Sequence, residues 1–258
     1  MPHPYFDRPE RPRIIAHRGF VPPAAAARGI AENTRAAFAE ALAAGADCLE
    51  SDCHLTNDDV VVLFHDDDLA RVSGDPRKVA EVSHRELAQI MSDRGGLLTL
   101  SELFEEFPEA RVNLDVKAAA AADPVGRSIA PHAHRTLVTS FSDEFRLRAL
   151  RSAACATGSE RPATSAGRGT LIKLLLAVQV GARRRAARLL EGVDALQIPE
   201  RQGSLSVFTP RLVDAAHDAG VEVHVWTVND PDDMRSLARR GADAIITDRT
   251  DLALSTLR

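Results

Sequence analysis

The chain has 258 residues, of which 45% are hydrophobic and 27% charged, so it is long enough for one large α/β domain with a substantial core. Its formal net charge of −5 gives no reason to expect binding to nucleic acid or to an anionic membrane surface, since both favour a basic excess. The longest apolar run, 171–180, is too short to span a bilayer, so we expect a single cytoplasmic domain over residues 1–258 without stable membrane insertion.

The first predicted elements are a strand at 13–17 and an alanine-rich helix that reaches about Ala44. The strand stops at Arg18-Gly19, and a loop rich in proline and alanine follows. Asn33 or Thr34 can cap the helix at its start, and Gly45 can end it.

The stretch 48–66 reads as two strands around an Asn57-Asp58-Asp59 turn. Strand side chains repeat every two residues, so Glu50 and Asp52 share one face. The return arm ends in His65, and a tight turn brings this imidazole back to the level of the two carboxylates. Since neighbouring carboxylates repel unless a cation lies between them, the hairpin predicts half of a metal-dependent active site.

Residues 67–96 are polar and irregular, which predicts an excursion from the main body of the fold with a short helix at 83–87. Beyond it, strands and helices alternate, a pattern typical of parallel strands joined by crossovers. The pattern is weakest at 161–169, where a strand at 163–166 precedes helical sequence as far as Leu190. The later strands are expected at 111–117, 136–141, 195–198, 221–227 and 244–247, and the later helices at 101–107, 123–130, 142–152, 210–219, 231–240 and the carboxyl end.

Counting the strands decides between architectures. With the return arm of the hairpin set aside, eight strands remain, which is the number and size typical of a TIM (β/α)8 barrel. An open doubly wound sheet is the alternative, but the chain has no glycine-rich dinucleotide fingerprint. In a TIM barrel the active site lies at the carboxyl ends of the strands, where the sequence has His17, Glu50, Asp52, Asp115, Lys117 and Trp226.

Glu50, Asp52 and Asp115 form a predicted cluster of oxygen ligands, which suits Mg²⁺ or Ca²⁺ better than Zn²⁺. The alternative is that these acids are solvated or paired with nearby arginines. Arg18 and Lys117 either close an ion network with the carboxylates or bind a substrate phosphate.

His17 and His65 are the candidate proton-transfer pair, since imidazole titrates near neutrality. His54 precedes the polar turn of the hairpin and is expected to be exposed. Trp226, the single tryptophan, either fills the core or forms an apolar wall of the substrate pocket.

These residues belong to a longer series of short motifs, each weak alone but specific in order and spacing. The chain from Ile14 to about Asp251 strongly resembles the bacterial glycerophosphodiester phosphodiesterase family. The motifs that carry the resemblance are His17-Arg18-Gly19, Glu32-Asn33-Thr34, Glu50-x-Asp52, Leu55-Thr56, His65-Asp66, Asp115-x-Lys117, Ser140-Phe141, and Trp226-Thr227-Val228-Asn229 before Ile246-Thr247-Asp248.

The resemblance implies a TIM barrel with a small insertion at about 67–96. It implies hydrolysis of a small-molecule glycerophosphodiester to sn-glycerol 3-phosphate and an alcohol, with a divalent cation, in glycerol and lipid metabolism. Carried over by position, it makes His17 and His65 the general acid and base, and gives Glu32 and Asn33 a supporting role near the site. It also implies that Glu50, Asp52 and Asp115 bind the metal while Arg18 and Lys117 bind phosphate, and that the substrate's own 2-hydroxyl attacks phosphorus to give a cyclic phosphate, which water then opens.

Three departures from the family pattern affect these expectations. Asp115 stands where the family usually has Glu, and Asp59 replaces a turn glycine, which requires a positive φ. Residues 155–169 lack the usual strand pattern. Two rivals stay open: a related barrel phosphodiesterase that releases a cyclic phosphate from lysophospholipids, and a catalytically silent barrel that binds a phosphorylated metabolite. The first would need an apolar rim, and no aromatic-rich loop in the sequence supplies one.

Overall fold

Strands and helices alternate along the chain in the computed structural model, which describes residues 3–7, 11–157 and 161–258. The strands are β1 Arg13–Ala16, β2 Cys48–Leu55, β3 Val61–Leu63, β4 Val112–Val116, β5 Thr136–Thr139, β6 Ala163–Thr164, β7 Ala195–Pro199, β8 Arg201–Gln202, β9 Leu205–Ser206, β10 Glu222–Trp226 and β11 Ala244–Thr247. The α-helices are α1 Pro23–Ala26, α2 Arg35–Ala44, α3 Ala70–Ser73, α4 His84–Met91, α5 Leu100–Glu106, α6 Ala122–Ile129, α7 Asp143–Thr157, α8 Arg168–Gln179, α9 Arg183–Leu189, α10 Pro210–Asp218, α11 Pro231–Arg239 and α12 Thr250–Leu257.

Eight of the strands form a parallel barrel. Hydrogen-bonded neighbours follow the order β6-β5-β4-β2-β1-β11-β10-β7. A parallel bridge between Ser165 and Ala195 joins β6 to β7, supported by a hydrogen bond of 3.2 Å from the Ala166 amide to the Ala195 carbonyl. The first and last strands of the series therefore meet, which confirms the predicted TIM barrel and rules out an open sheet.

The predicted hairpin is also present. β3 pairs antiparallel with β2, with Cys53 opposite Leu63, so the return arm lies outside the parallel series. Asp59 in the turn has a φ of 61°, as its position in place of glycine requires. The segment after β3 contains α3 and α4, and its buried Leu69 and Leu87 pack with Val62 of the return arm.

Apolar side chains lie both between the barrel and its helices and inside the barrel. The layer outside the barrel forms two clusters, one around Leu49 and Leu114 and the other around Leu196 and Val223. Inside, Ile15 clusters with the aromatic side chains of Tyr5 and Phe6 and with buried residues of the other strands, such as Leu137 and Ala195. None of the described helices combines the length and apolar character that crossing a membrane requires.

The weak strand pattern at 155–169 is explained by how little of this region forms a strand. α7 continues to Thr157, and β6 is only two residues long, shorter than the predicted strand at 163–166. Residues 158–160 of this region lie outside the described residues. The helical sequence that follows is divided into α8 and α9 at Gly181, whose φ of 70° an interior helical residue does not adopt.

Candidate active site

A cavity of about 610 Å³ opens at the carboxyl ends of the barrel strands. This is the position of active sites in TIM barrels, and the volume is typical of sites for small molecules. The structure brings together eight of the predicted site residues in its wall, whereas Glu32 and Asn33 lie behind it. The eight are His17, Arg18, Glu50, Asp52, His65, Asp115, Lys117 and Trp226.

The three carboxylates come from two neighbouring parallel strands. β2 and β4 pair so that Asp52 lies opposite Asp115, while Glu50 lies one pleat further back opposite Asn113. All three acids are buried. Nζ of Lys117 lies 3.0 Å from Oδ1 of Asp52 and 2.6 Å from Oδ2 of Asp115, so one ammonium group neutralises part of the cluster.

The pKa values of the two acids of β2 are shifted in opposite directions. Burial, together with the charge of Asp52, raises the pKa of Glu50 to about 8. Burial alone would also raise the pKa of Asp52, but Lys117 and Arg18 outweigh it and hold that pKa below its ordinary value. At neutral pH, Asp52 is therefore ionised, while Glu50 retains a proton until another cation comes near.

The donor chemistry of this cluster fits a hard divalent cation. Its members offer only carboxylate oxygens, and Oδ1 of Asp115 is buried without a hydrogen-bond partner among the described residues. In the part of the chain that the structure describes, no three His, Cys, Asp or Glu side chains form a ready metal cluster. Lys117 instead supplies one positive charge to two of the carboxylates.

Asn113 is a site residue that the sequence analysis did not assign. Its side chain lines the cavity and is 1% exposed, yet neither amide atom has a hydrogen-bond partner among the described residues. Buried amide groups are nearly always satisfied, so an unpaired one in a cavity wall indicates a missing partner such as substrate or water. The signal in the sequence was its place on the same face of β4 as Asp115.

His17 follows β1 and is oriented by a carboxylate from the far end of the chain. Its Nδ1 donates to Oδ1 of Asp248 over 2.7 Å, and Asn229 in turn donates to Oδ2 of Asp248 over 2.8 Å. Burial lowers the pKa of His17, but the hydrogen bond to Asp248 and nearby negative charge outweigh burial, so the pKa lies above its ordinary value. Nε2 is thus the nitrogen left to exchange a proton.

His65 has an equivalent arrangement within the hairpin. Its Nδ1 donates to Oδ1 of Asp66 over 2.6 Å, and Nε of Arg71 donates to the other oxygen of Asp66, also over 2.6 Å. Each candidate proton-transfer histidine is therefore held by an aspartate, which fixes the ring orientation and the tautomer. Neither aspartate was assigned a role from the sequence, although both stand in the motifs quoted above.

The expectation that His54 is exposed was wrong. The residue is 4% exposed, because it lies within β2 opposite Val62 and not at the turn. Its Nε2 donates to the carbonyl oxygen of His65 over 3.2 Å. Burial lowers the pKa of His54, so the ring is neutral and helps to position His65.

The two predicted supporting residues lie behind the cavity wall. Asn33 donates from Nδ2 to Oδ2 of Asp52 over 3.0 Å and accepts from Ser51, so it fixes one of the carboxylates. Glu32 accepts from both Arg18, over 2.9 Å, and Arg71, over 2.8 Å. It therefore links the arginine that follows His17 to the arginine that holds Asp66.

Arg18 contacts the cluster through its backbone as well as its side chain. Its amide donates to Oε2 of Glu50 over 2.9 Å, and its Nε lies 3.4 Å from Oδ2 of Asp52. The next residue, Gly19, has a φ of 85°, and a Cβ there would lie 2.8 Å from the Ala37 backbone. Only glycine fits this position, which lets the chain turn sharply between β1 and the site.

The opposite half of the cavity is mostly apolar, with Arg168 among its few polar members. Trp226 lines it with Phe141, whose ring centroid is 5.9 Å away in an edge-on arrangement, so the tryptophan forms a pocket wall. The Phe141 ring also lies 5.6 Å from Nζ of Lys117. Much of the rim consists of aliphatic residues of α8 and the β8–β9 hairpin, which no aromatic-rich loop signals in the sequence: Leu171, Ile172, Leu175 and Leu205.

Comparison with known proteins identifies the family. Residues 17–252 match the model of the glycerophosphoryl diester phosphodiesterase family. The "Probable glycerophosphodiester phosphodiesterase 2" of Mycobacterium tuberculosis is 38% identical over 246 residues, which are 94% of this chain and 89% of that protein. A human lysophospholipase D is 34% identical over 117 residues, 40% of this chain and 35% of that protein.

The fold comparison agrees with the sequence comparison. The crystal structure of a glycerophosphodiester phosphodiesterase from Thermotoga maritima matches with a TM-score of 0.71 and 25% identity, covering 96% of this chain and 99% of that one. The likeness thus extends over the whole barrel and includes the strands that carry the site. The chain therefore belongs to the glycerophosphoryl diester phosphodiesterase family.

Proposed function

We propose that the chain hydrolyses glycerophosphodiesters to sn-glycerol 3-phosphate and an alcohol, with His17 and His65 as general acid and base and with a divalent cation. Membership of the family makes the chain a phosphoric diester hydrolase that acts on glycerophosphodiesters. The observation that carries the proposal is that one cavity holds two aspartate-oriented histidines, three carboxylates and the cationic side chains of Arg18 and Lys117.

The proposed first step uses the substrate's own 2-hydroxyl as nucleophile. One imidazole accepts the hydroxyl proton through Nε2 while the oxygen forms a bond to phosphorus, and the other imidazole donates a proton to the departing alcohol oxygen. A cyclic phosphate results. Water then attacks phosphorus with the two imidazoles in reversed roles: one accepts a proton from water while the other donates its proton to the ring oxygen that leaves phosphorus. The ring opens to the phosphomonoester, and both imidazoles return to their starting protonation states.

The cationic groups stabilise the phosphate during both steps. Charge builds on the non-bridging oxygens of phosphorus, and Arg18 and Lys117 line the cavity where they can neutralise it. A cation held by Glu50, Asp52 and Asp115 would supply further positive charge to the same oxygens. The unpartnered Oδ1 of Asp115 supports this assignment.

A second candidate function is favoured by the apolar half of the cavity. Leu171, Ile172 and Leu175 of α8 provide a wall that a small polar alcohol does not need, but an acyl chain does. The same polar site would then cleave lysophospholipids. Each substrate keeps the glycerol 2-hydroxyl, so the same first step applies.

Product analysis distinguishes the two candidates. Glycerophosphocholine and lysophosphatidylcholine are each incubated with the protein and a divalent cation, and phosphorus-containing products are followed by ³¹P nuclear magnetic resonance. The proposal predicts a transient cyclic phosphate and then sn-glycerol 3-phosphate from glycerophosphocholine. Turnover of lysophosphatidylcholine alone would overturn it in favour of the second candidate.

A further inference from the structure

Positive charge is concentrated in one segment of this acidic chain. Residues 161–190 contain seven Lys and Arg and no Asp or Glu, although the whole chain carries a formal charge of −5. Arg161 pairs with Asp194. The other six are exposed and form no ion pair with any described residue, and they are Arg168, Lys173, Arg183, Arg184, Arg185 and Arg188.

The same segment exposes a row of large apolar side chains. Ile172 is 48% exposed, Leu176 64% and Val180 77%. They recur every four residues along α8 and beyond its end, a spacing that places them on one helix face. Leu174 and Ala177 lie on the opposite face, buried in the core. An exposed apolar row of this kind indicates a binding surface.

The row begins at the mouth of the active-site cavity. Ile172 lines the cavity itself, and Leu205 and Phe141, each 59% exposed, lie beside it in the rim. Leu176 and Val180 continue the apolar surface away from the cavity. Whatever binds the row therefore also meets the cavity entrance.

This surface is held in place at both ends. Asp143 accepts hydrogen bonds from the amides of Gly167, over 3.1 Å, and Thr170, over 2.9 Å, which anchor the start of α8. At the other end, the Ala182 amide donates to the Ala177 carbonyl over 2.8 Å, and Ala186 of α9 is buried in the same apolar cluster as Leu174. The exposed row is thus part of the folded domain and not a frayed end.

We propose that α8 and α9 form a docking surface for an anionic lipid bilayer, which we name the α8–α9 surface. Its apolar members, Leu176 and Val180, would enter the headgroup boundary, while Arg184 and Arg188, one turn apart on α9, would contact lipid phosphates. The local charge outweighs the acidic balance of the chain because screening limits charge effects to about 8 Å at physiological salt. A second copy of the chain is a poorer occupant, since the two surfaces would carry the same charge.

Docking would place the cavity entrance against the bilayer, where phosphodiesters that retain an acyl chain reside. The use of such phosphodiesters as substrates rests on the proposed function, whereas docking to the bilayer does not. The test therefore measures binding without turnover. Sedimentation compares vesicles of phosphatidylcholine alone with vesicles that contain one third phosphatidylglycerol, at low and at high salt.

We expect binding to the anionic vesicles, weak binding to the neutral ones, and loss of binding at high salt. One basic residue contributes about fivefold to partition on an anionic surface, so Arg184→Glu with Arg188→Glu should weaken binding more than about tenfold. Leu176→Ser with Val180→Ser should also weaken it. Both double variants should retain wild-type hydrolysis of glycerophosphocholine, because none of these residues lines the cavity.

The matched control is Arg211→Glu with Arg239→Glu, which changes the net charge equally at exposed positions on α10 and α11. Equal loss of binding in this control would show a general charge effect and overturn the proposal. Failure of the wild-type protein to bind anionic vesicles would also overturn it. Light scattering provides a further test. A wild-type dimer that dissociates in the Leu176→Ser with Val180→Ser variant would also overturn the proposal, because the row would then be an interface between two copies of the chain.

Discussion

Nδ1 of His17 donates a hydrogen bond of 2.7 Å to Asp248, although 231 positions separate the two residues in the chain. The contact forms because β1 pairs with β11 in the closed barrel, and the two residues follow those strands directly. The hydrogen bond sets both the orientation and the proton affinity of the imidazole. It therefore connects barrel closure to the proposed acid–base chemistry.

Asp248→Asn should move one limb of the pH–rate profile to lower pH. The Asp248 hydrogen bond and charge raise the pKa of His17, so removing the charge lowers that pKa. If the acidic limb moves, His17 is the base in the rate-limiting step, and if the alkaline limb moves, it is the acid. Asp214→Asn on the exposed face of α10 is the control, and two unmoved limbs would contradict the role of His17.

His17→Ala and His65→Ala should each lower kcat by about 10²–10⁴-fold while the fold persists. Both side chains lie at the edge of the cavity, outside the apolar core, so their removal leaves the barrel packing intact. Circular dichroism and thermal unfolding check the fold, and steady-state kinetics check the rate. Activity near that of the wild type in either variant would remove that histidine from the mechanism.

Lys117→Met should destabilise the metal-free protein by about 3 kcal/mol, because Asp52 and Asp115 would lose the cation that pairs with them. Mg²⁺ or Ca²⁺ should restore part of the lost stability, since it would neutralise the same carboxylates. Thermal unfolding with and without cation measures this. Lys173→Met, at an exposed position with no ion pair to any described residue, is the control. Absence of any cation effect on the Lys117 variant would argue against a metal at these acids.

Glu50→Gln should stabilise the metal-free protein, and increasingly so as the pH rises. The pKa of Glu50 is about 8 in the folded protein, against an ordinary value of 4.5, so between these values the folded state holds a proton that the unfolded chain releases. Stability therefore falls with rising pH across this window, by about 1.4 kcal/mol for each unit of pKa elevation. The Glu50→Gln variant has no carboxyl group at this position, so it does not lose this stability as the pH rises.

Thermal unfolding at pH 5, 7 and 9 in EDTA measures the effect of Glu50→Gln. The smallest difference from the wild type is expected at pH 5, because this pH lies close to the ordinary pKa of 4.5 and little of the loss has accumulated there. A gain that is the same at all three pH values would show that the variant acts through packing and not through the carboxyl charge. The variant should also weaken the dependence of activity on the cation.

Much of the site follows from local patterns in the sequence. Alternation along β2 predicts that Glu50 and Asp52 share a face, and the hairpin returns His65 to their level, because strand periodicity and turn geometry are local properties. The barrel follows from the number and spacing of the strands. The single-domain and cation predictions stay predictions.

Other parts of the site depend on contacts that local patterns do not encode. Asp248 meets His17 only when β1 and β11 pair, and His54 is buried only because the return arm covers it. Likewise, the aliphatic residues of α8 have the composition of an ordinary core helix. Which of them face the core and which form the cavity rim is decided by how α8 packs on the barrel.

We propose that the protein uses a divalent cation to hydrolyse glycerophosphodiesters. The most direct measurement is release of glycerol 3-phosphate from glycerophosphocholine, first in EDTA and then with Mg²⁺, Ca²⁺ or Mn²⁺ restored. We predict no release in EDTA and recovered release with at least one of these cations. Equally fast release in EDTA would contradict the role of the metal, and no release with any cation would contradict the proposed reaction.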